Sequence, residues 1–167
     1  IISDYLNLKN KVLLNKSLKL LIVNTGPGSY TALRVSIAFL SGLSISQKIG
    51  LKGVSCIELF RYALKNHEQE STALYIESSN NQKFIFFYDN KKKGYTMNKM
   101  ENDLNKFNFK DKSIKKILGN SSLKLKNVSY QQFNFKDLVN NNIQKILQKP
   151  NEDIIKPIYV SNNEILN

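Results

Sequence analysis

The amino-acid sequence predicts an α/β fold made of two small lobes. Three observations carry this prediction: an apolar run at residues 18–23 followed by glycines and a helical pattern, a second strand-then-helix unit that starts at Leu51, and a polar stretch near residues 66–71 after which strand patterns dominate. Alternating strands and helices are typical of an α/β domain. We therefore place the first lobe at residues 1–66 and a second, smaller α/β lobe at residues 70–167.

In the first lobe, helical spacing at residues 1–8 precedes the strand at 18–23, whose continuous apolar run suits burial on both faces. A helix is predicted from Thr31 to about residue 46, with the Ser29 hydroxyl placed to cap its first N–H groups. Apolar or small residues surround this helix on nearly every side, so we expect it to be covered on more than one side. Ala38 and Gly42, one turn apart, would allow close approach of a partner backbone or packing within the fold.

A second strand is predicted at residues 51–54, and Ser55 with Glu58 forms a capping box for a helix through about residue 64. The second lobe carries weaker patterns. They predict strands at 72–76, 83–88 and 114–118, a helix near 100–106, a helix at 135–147, and a closing edge strand at 154–160 interrupted by Pro157.

The composition is strongly basic, with 25 Lys and Arg against 13 Asp and Glu, a formal net charge of +12 and an isoelectric point near 9.7. Such a charge attracts anionic partners. However, only Arg34 and Arg61 are arginines, and base-reading surfaces favour the bidentate arginine fork. Because lysine is spread over the whole chain, we favour a general compositional trend over a dedicated RNA-binding face, which remains an alternative.

The sequence predicts a cytoplasmic location. No apolar stretch approaches the roughly 20 residues that span a bilayer, and the first residues lack the apolar core of a signal peptide. Cys56 is the only cysteine, which excludes an intramolecular disulfide and fits a reducing compartment. We expect no membrane association.

The turn between the first strand and helix is the motif with the most functional information. It lacks the lysine of a phosphate-binding P-loop, Thr31 occupies the place of the last small residue of a dinucleotide fingerprint, and Pro27 has no N–H to donate. A tight turn explains most of it. Arg34 is unexplained, because a cation in the first helical turn opposes the helix dipole. This predicts an acidic partner, from the same chain or from another protein. The turn reads Gly26, Pro27, Gly28, Ser29, Tyr30 and Thr31.

The run from Gly26 to Arg34 resembles the signature of the TsaB (YeaZ) family, which usually reads glycine-proline-glycine-serine-phenylalanine-threonine-glycine-leucine-arginine. Here Tyr30 stands for phenylalanine and Ala32 for the later glycine. Glu77 with the two following serines, 78 and 79, stands where the family commonly has aspartate-alanine-arginine. The resemblance continues through Gly42, Leu43, Gly53, Val54, Ser55 and Glu58, and returns at Pro157, Ile158, Tyr159 and Val160.

The resemblance implies an actin-like ATPase (ASKHA) fold of two lobes, with the first lobe incomplete because its opening strands are missing. It further implies a non-catalytic scaffold subunit in the synthesis of threonylcarbamoyladenosine at position 37 of tRNA. The implied partners are the catalytic paralogue TsaD, the ATPase TsaE, a second copy of the chain, since the family also self-pairs, and tRNA through the complex. No cofactor or metal is implied. The predicted contact residues on the first helix are Leu33, Ser36, Ile37, Leu40 and Ser41.

The residues themselves offer little for catalysis. His67 is the only histidine and lies in a polar linker, so neither a two-histidine metal site nor a serine-histidine-aspartate triad can be assembled around it. Cys56, just after a capping serine, is expected to be a buried side chain. Besides the scaffold, a phosphotransfer enzyme of the actin-like class and an RNA-binding module remain alternatives.

Overall fold

The computed structural model describes residues 18–64, 68–78, 81–100, 109, 113–123, 125, 128–152 and 154–159, together with the backbone of 165–166. Within them, strands and helices form the α/β arrangement that the sequence predicts. Their bounds in chain order are β1 Leu20–Asn24, α1 Tyr30–Gln47, β2 Gly50–Val54, α2 Cys56–Ala63, β3 Thr72–Glu77, β4 Lys83–Asp89, β5 Gly94–Met100, β6 Lys116–Gly119, β7 Ser129–Gln132, α3 Phe135–Asn141, α4 Ile143–Gln148 and β8 Ile165–Leu166.

The first sheet consists of β1 and β2, which pair in parallel and are connected by α1. Burial alternates along β1, with Leu21 and Val23 buried and their neighbours half-buried. Leu21 and Val23 pack with Ile37 of α1 and with Ile155 from the end of the described chain. Ile22, on the other face of β1, is half-buried against Val54, Leu59 and Ile146, so burial on both faces is confirmed in part: one face is fully buried and the other partly.

Helix α1 starts close to the predicted position, but its N-cap differs from the prediction. The Ser29 carbonyl accepts the Leu33 N–H at 2.9 Å, while the Ser29 hydroxyl makes no capping hydrogen bond. Leu33 and Ile37 are buried, whereas Val35 is 49% and Ile45 is 78% exposed. Among the described residues α1 is thus covered on one side only, and the expectation of wider coverage is wrong.

The second sheet has six strands in the order β7-β6-β3-β4-β5-β8. β3 is antiparallel to β4 and parallel to β6, so the sheet is mixed. Successive residues of β4 point to opposite faces, and both faces are covered: Phe86 belongs to the apolar cluster under Ile57 and Phe60 of α2, and Ile85 belongs to a second cluster that includes Phe109.

Several predictions for the second lobe need correction. Strands β5 and β7 were not predicted, and Met100 ends a strand instead of starting a helix. The predicted helix at 135–147 is broken at Asn142, whose side-chain amide donates to the Leu138 carbonyl. Residues 154–159 form no strand. The rest of the predicted helix near 100–106 and the helix at 1–8 lie outside the described residues.

The end of the described chain returns to the first lobe. Ile146 packs with Val54 and Leu59, and the Lys149 ammonium donates to the Gly53 carbonyl at 2.7 Å. These contacts fasten α4 to β2 and α2. The lobe boundary at residues 66–70 stays a prediction, but Ile146 and Ile155 pack against residues of the first sheet.

Candidate functional site

The turn after β1 is fixed by hydrogen bonds on both sides of Gly26. Its N–H donates to Asn24 Oδ1 and its carbonyl accepts the Cys56 N–H, each at 2.9 Å. Gly26 has a φ of +116°, and a Cβ added to it would lie 2.9 Å from the carbonyl oxygen of Ile158. Because other residues rarely adopt this φ and would clash, only glycine fits here.

The backbone groups around the turn connect three segments of the chain. The Thr25 N–H donates to the Val54 carbonyl at 3.1 Å, and the Thr25 carbonyl accepts the Ile158 N–H at 2.7 Å. The peptide between Gly26 and Pro27 is cis. Since the Gly26 N–H is already bonded and Pro27 has none, the turn resembles a structural joint more than a phosphate cradle.

Arg34 contacts a pair of neighbouring tyrosine rings at the start of α1. Its Nε donates to the Tyr159 hydroxyl at 2.6 Å, and its guanidinium carbon lies 4.1 Å from the centre of the Tyr30 ring and 5.5 Å from that of Tyr159. The two rings lie 4.9 Å apart. We call Tyr30, Arg34 and Tyr159 the arginine clamp.

The arginine clamp stabilises the positive charge of Arg34 in the first turn of α1. The hydrogen bond with Tyr159 raises the Arg34 pKa above its usual value, so the guanidinium stays charged. No carboxylate among the described residues forms an ion pair with it. Compensation within this part of the chain therefore comes from aromatic faces and a phenol, not from the acidic group that was predicted.

One side of α1 carries a continuous solvent-exposed stripe. We call its five residues the exposed face; their spacing of four, three, four and three residues places them on a single side of a helix. A Cβ added at Gly42 would meet no atom within 4 Å, so space lies above the middle of the stripe. Arg34 borders the stripe at its first turn. The exposed face is Thr31, Val35, Ala38, Gly42 and Ile45.

The predicted contact residues lie on the other side of α1. Leu33 and Ile37 are buried in their own lobe, so they are not available to a partner in this structure. Ser36 and Leu40 are half-buried and line a cleft between the lobes, and Ser41 is half-buried at the margin. Binding of a partner by these five residues stays a prediction; in this structure two of them are buried and three are half-buried.

The cleft between the lobes has a volume of about 460 Å³. On the side of the second lobe, the backbone N–H of Glu77 donates to Asn120 Oδ1 and its carbonyl accepts from Asn120 Nδ2, each at 2.8 Å. None of the described residues lining it is lysine or arginine, in a chain of net charge +12, and Glu77 adds a carboxylate. This lining disfavours a phosphate ligand. It includes Asn24, Pro27, Gly28, Ser29, Ala32, Leu33, Ser36, Leu40, Cys56, Ile76, Glu77, Ser78, Asn120, Phe133 and Phe135.

The remaining chemical candidates are inert or undescribed. Burial raises the pKa of the Cys56 thiol to about 11, so the nucleophilic thiolate is scarce at neutral pH. No group of three or more His, Cys, Asp or Glu side chains able to hold a metal ion occurs in the described part of the chain. There, too, no helix is long and apolar enough to cross a membrane. His67 and Ser79 lie outside it.

Two features of the site escaped the sequence prediction. Tyr159 was noted only as part of a closing segment, and its contact with Arg34 joins residues 125 positions apart. The exposure of Val35 and Ile45 was also missed, although Ala38 and Gly42 between them had been recognised as a place for close approach. The four-residue spacing of Ala38 and Gly42 was the sequence signal from which this exposed side of α1 could have been predicted.

A strand-turn-helix unit joined to a larger mixed sheet, with a cleft between them, defines an α/β protein built around two sheets. Residues 7–163 match the sequence profile of the family TsaD, tRNA N6-adenosine threonylcarbamoyltransferase, and the chain belongs to this family. No curated protein matches it by sequence.

Two solved structures have a similar fold. One is the crystal structure of an uncharacterized protein with similarity to peptidase YeaZ from Pseudomonas aeruginosa, with 13% identity, 93% of this chain and 80% of that one covered, and a TM-score of 0.58. The other is YeaZ from Pseudomonas aeruginosa, with 12% identity, 86% and 74% covered, and a TM-score of 0.49. The family match together with the fold shared with the first of these structures confirms the predicted resemblance and the predicted actin-like α/β fold.

Proposed function

We propose that this chain is a non-catalytic scaffold subunit of the machinery that forms threonylcarbamoyladenosine on tRNA. In this proposal it pairs with a catalytic paralogue of the TsaD type through the exposed face of α1. Membership of the TsaD family and the likeness to YeaZ support a role in this tRNA modification system. The observation that carries the pairing is the uncovered apolar stripe on a helix whose opposite side is already packed.

The exposed face is suited to another helix. Val35 and Ile45 present apolar side chains at its two ends, while Ala38 and Gly42 leave the middle shallow. Small residues at a helix contact let two backbones approach closely, and the four-three spacing matches helix pairs that cross at about 20°. A helix of the paralogue is the occupant we propose. A second copy of this chain would use the same face and would compete with it.

The residues that line the cleft also support a non-catalytic role. Its described lining offers no cation for a triphosphate, and its only thiol, Cys56, is buried with a raised pKa. Under this proposal the TsaE-type ATPase and tRNA meet the chain through the complex. Catalysis belongs to the paralogue.

Size-exclusion chromatography of the full-length protein mixed with its cognate TsaD-type paralogue tests the proposal. We expect one stable complex at concentrations on the order of micromolar, the range of typical specific complexes. Separate elution would contradict the pairing. Calorimetric binding of ATP with Mg²⁺ by this chain alone would instead favour a phosphotransfer enzyme. Salt-sensitive binding of tRNA by the chain alone would favour an RNA-binding module.

A further inference from the structure

We propose that the arginine clamp is a recognition site for a carboxylate of the protein that covers α1. This inference rests on the proposed pairing and adds its chemical specificity: an aspartate or glutamate of the partner reaches the terminal nitrogens of Arg34. The apolar stripe would supply contact area, and the clamp would set which partner is accepted and in which register.

The clamp holds Arg34 in one arrangement before any partner arrives. Tyr159 occupies Nε, and the Tyr30 ring lies against the guanidinium at 4.1 Å. An exposed arginine normally loses side-chain entropy when it is immobilised at an interface. Because these contacts already restrict the side chain, less of that entropy remains to be lost on binding.

The geometry leaves the fork of Arg34 available. None of the described residues accepts a hydrogen bond from its two terminal nitrogens, and Arg34, Tyr30 and Tyr159 are all exposed. A guanidinium fork is matched by the two oxygens of a carboxylate or phosphate. Arginine and tyrosine are also the residue types most often found at interface hot spots. The position at the N-terminal turn of α1 adds the positive end of the helix dipole to the attraction for an anion.

Two observations favour a protein carboxylate over an RNA phosphate. Val35 continues the exposed surface from Arg34 along the apolar stripe, and nucleic acid would leave that stripe uncovered. The Tyr30 and Tyr159 rings already contact each other, with their centres 4.9 Å apart, and the guanidinium contacts the Tyr30 ring, so less of the two rings is free for stacking bases. A helix with one acidic residue beside an apolar face would satisfy both parts of the surface.

The test measures affinity for the cognate TsaD-type paralogue by calorimetry, with Arg34→Gln compared with Arg61→Gln. Arg61 is the matched control because it is the other arginine of the chain and is exposed on α2. We expect Arg34→Gln to weaken binding at least about tenfold, since truncating one member of an interfacial charge pair removes its hydrogen-bonded partner, and Arg61→Gln to change it less than about twofold.

A charge swap provides the second measurement and does not depend on how well Arg34→Gln folds. Each Asp and Glu of the paralogue's contacting helix is changed to Lys in turn and paired with Arg34→Glu. One combination should restore at least about tenfold of the lost affinity. In parallel, fluorescence anisotropy measures tRNA binding by the same variants.

The outcomes separate this inference from the proposed function. If wild-type protein pairs but Arg34→Gln binds as tightly as wild type, or if no charge swap restores binding, the carboxylate site is wrong and the scaffold role stands. Loss of tRNA affinity without loss of pairing would assign Arg34 to phosphate instead and overturns the inference. If wild-type protein does not pair at all, both proposals fail.

Discussion

The two sheets of this molecule differ in the elements that cover them and in how much of those elements stays exposed. The six-stranded sheet has an apolar cluster on each face, and the central strand β4 is buried from Phe84 to Phe87. The two-stranded sheet carries α1, which buries Leu33 and Ile37 but leaves the opposite side in solvent. The six-stranded sheet is therefore covered on both faces, on one of them by α2, whereas α1 on the two-stranded sheet keeps an exposed side.

Helix α1 therefore shows that a helix with apolar residues on nearly every side can still lie at the surface of a protein. Exposed apolar residues are common when scattered, but the exposed face of α1 is a continuous stripe that ends at an ordered arginine. The exposed side of α1 takes no part in the apolar clusters of the six-stranded sheet, so an interaction surface there need not weaken that core. The comparison predicts that the two lobes respond unequally to equivalent substitutions.

The largest contrast is expected between two isoleucines. Ile85→Ala removes a fully buried side chain from the centre of the six-stranded sheet and should lower the free energy of unfolding by about 2–5 kcal/mol. Ile45→Ala changes a 78% exposed residue and should alter it by less than about 0.5 kcal/mol. Urea denaturation of both variants checks this. Equal losses would mean that the exposed face is packed against the chain itself.

A smaller effect is expected where α4 is fastened to the first lobe. The buried Lys52 ammonium donates to the carbonyls of Leu147 and Lys149. Lys52→Met leaves these acceptors without their donor and should lower the free energy of unfolding by about 1–3 kcal/mol. The exposed Lys156→Met is the control and should be nearly neutral in a thermal melt. A neutral Lys52→Met would show that the lobes are held together by other contacts.

The smallest expected effect concerns alkaline pH. The folded Cys56 thiol has a pKa raised by burial to about 11 from an ordinary value of 9.0, so the folded state retains its proton longer than the unfolded state. The stability this contributes is present at pH 8 and is lost as pH rises towards 11. Between pH 8 and 10 wild type should lose about 1 kcal/mol more than Cys56→Ala. Parallel curves would mean that the thiol is accessible to water.

Much of the fold could be predicted from local patterns. Strands β1 to β4 and helices α1 and α2 lie within a few residues of their predicted positions, because apolar runs and the Ser55 cap are local signals. That cap is confirmed, since the Ser55 hydroxyl accepts the Glu58 N–H at 3.0 Å. β7 was missed because its four residues, Ser129–Gln132, are mostly polar at the sheet edge, and β5 because Tyr95 and Met97 are its only fully buried large apolar residues.

The exposed face of α1 and the partners of Arg34 were harder to predict, because both depend on how distant parts of the chain pack together. A helix with apolar residues on nearly every side does not reveal which side meets the sheet, so Leu33 and Ile37 were assigned to a partner. The partners of Arg34 could not be predicted because Tyr159 reaches it only after the chain has folded back. The segment predicted as an edge strand, residues 154–159, instead contributes one backbone bond from Ile158 and the tyrosine.

The most direct test of the central claim compares two alanine-to-aspartate variants by sedimentation velocity with the TsaD-type paralogue. Ala38 lies in the middle of the exposed face, and Ala63 is an exposed residue at the end of α2. The account predicts that both variants stay folded, that Ala38→Asp weakens pairing at least about tenfold, and that Ala63→Asp changes it by less than about twofold. Equal affinity of the two variants for the paralogue would contradict it.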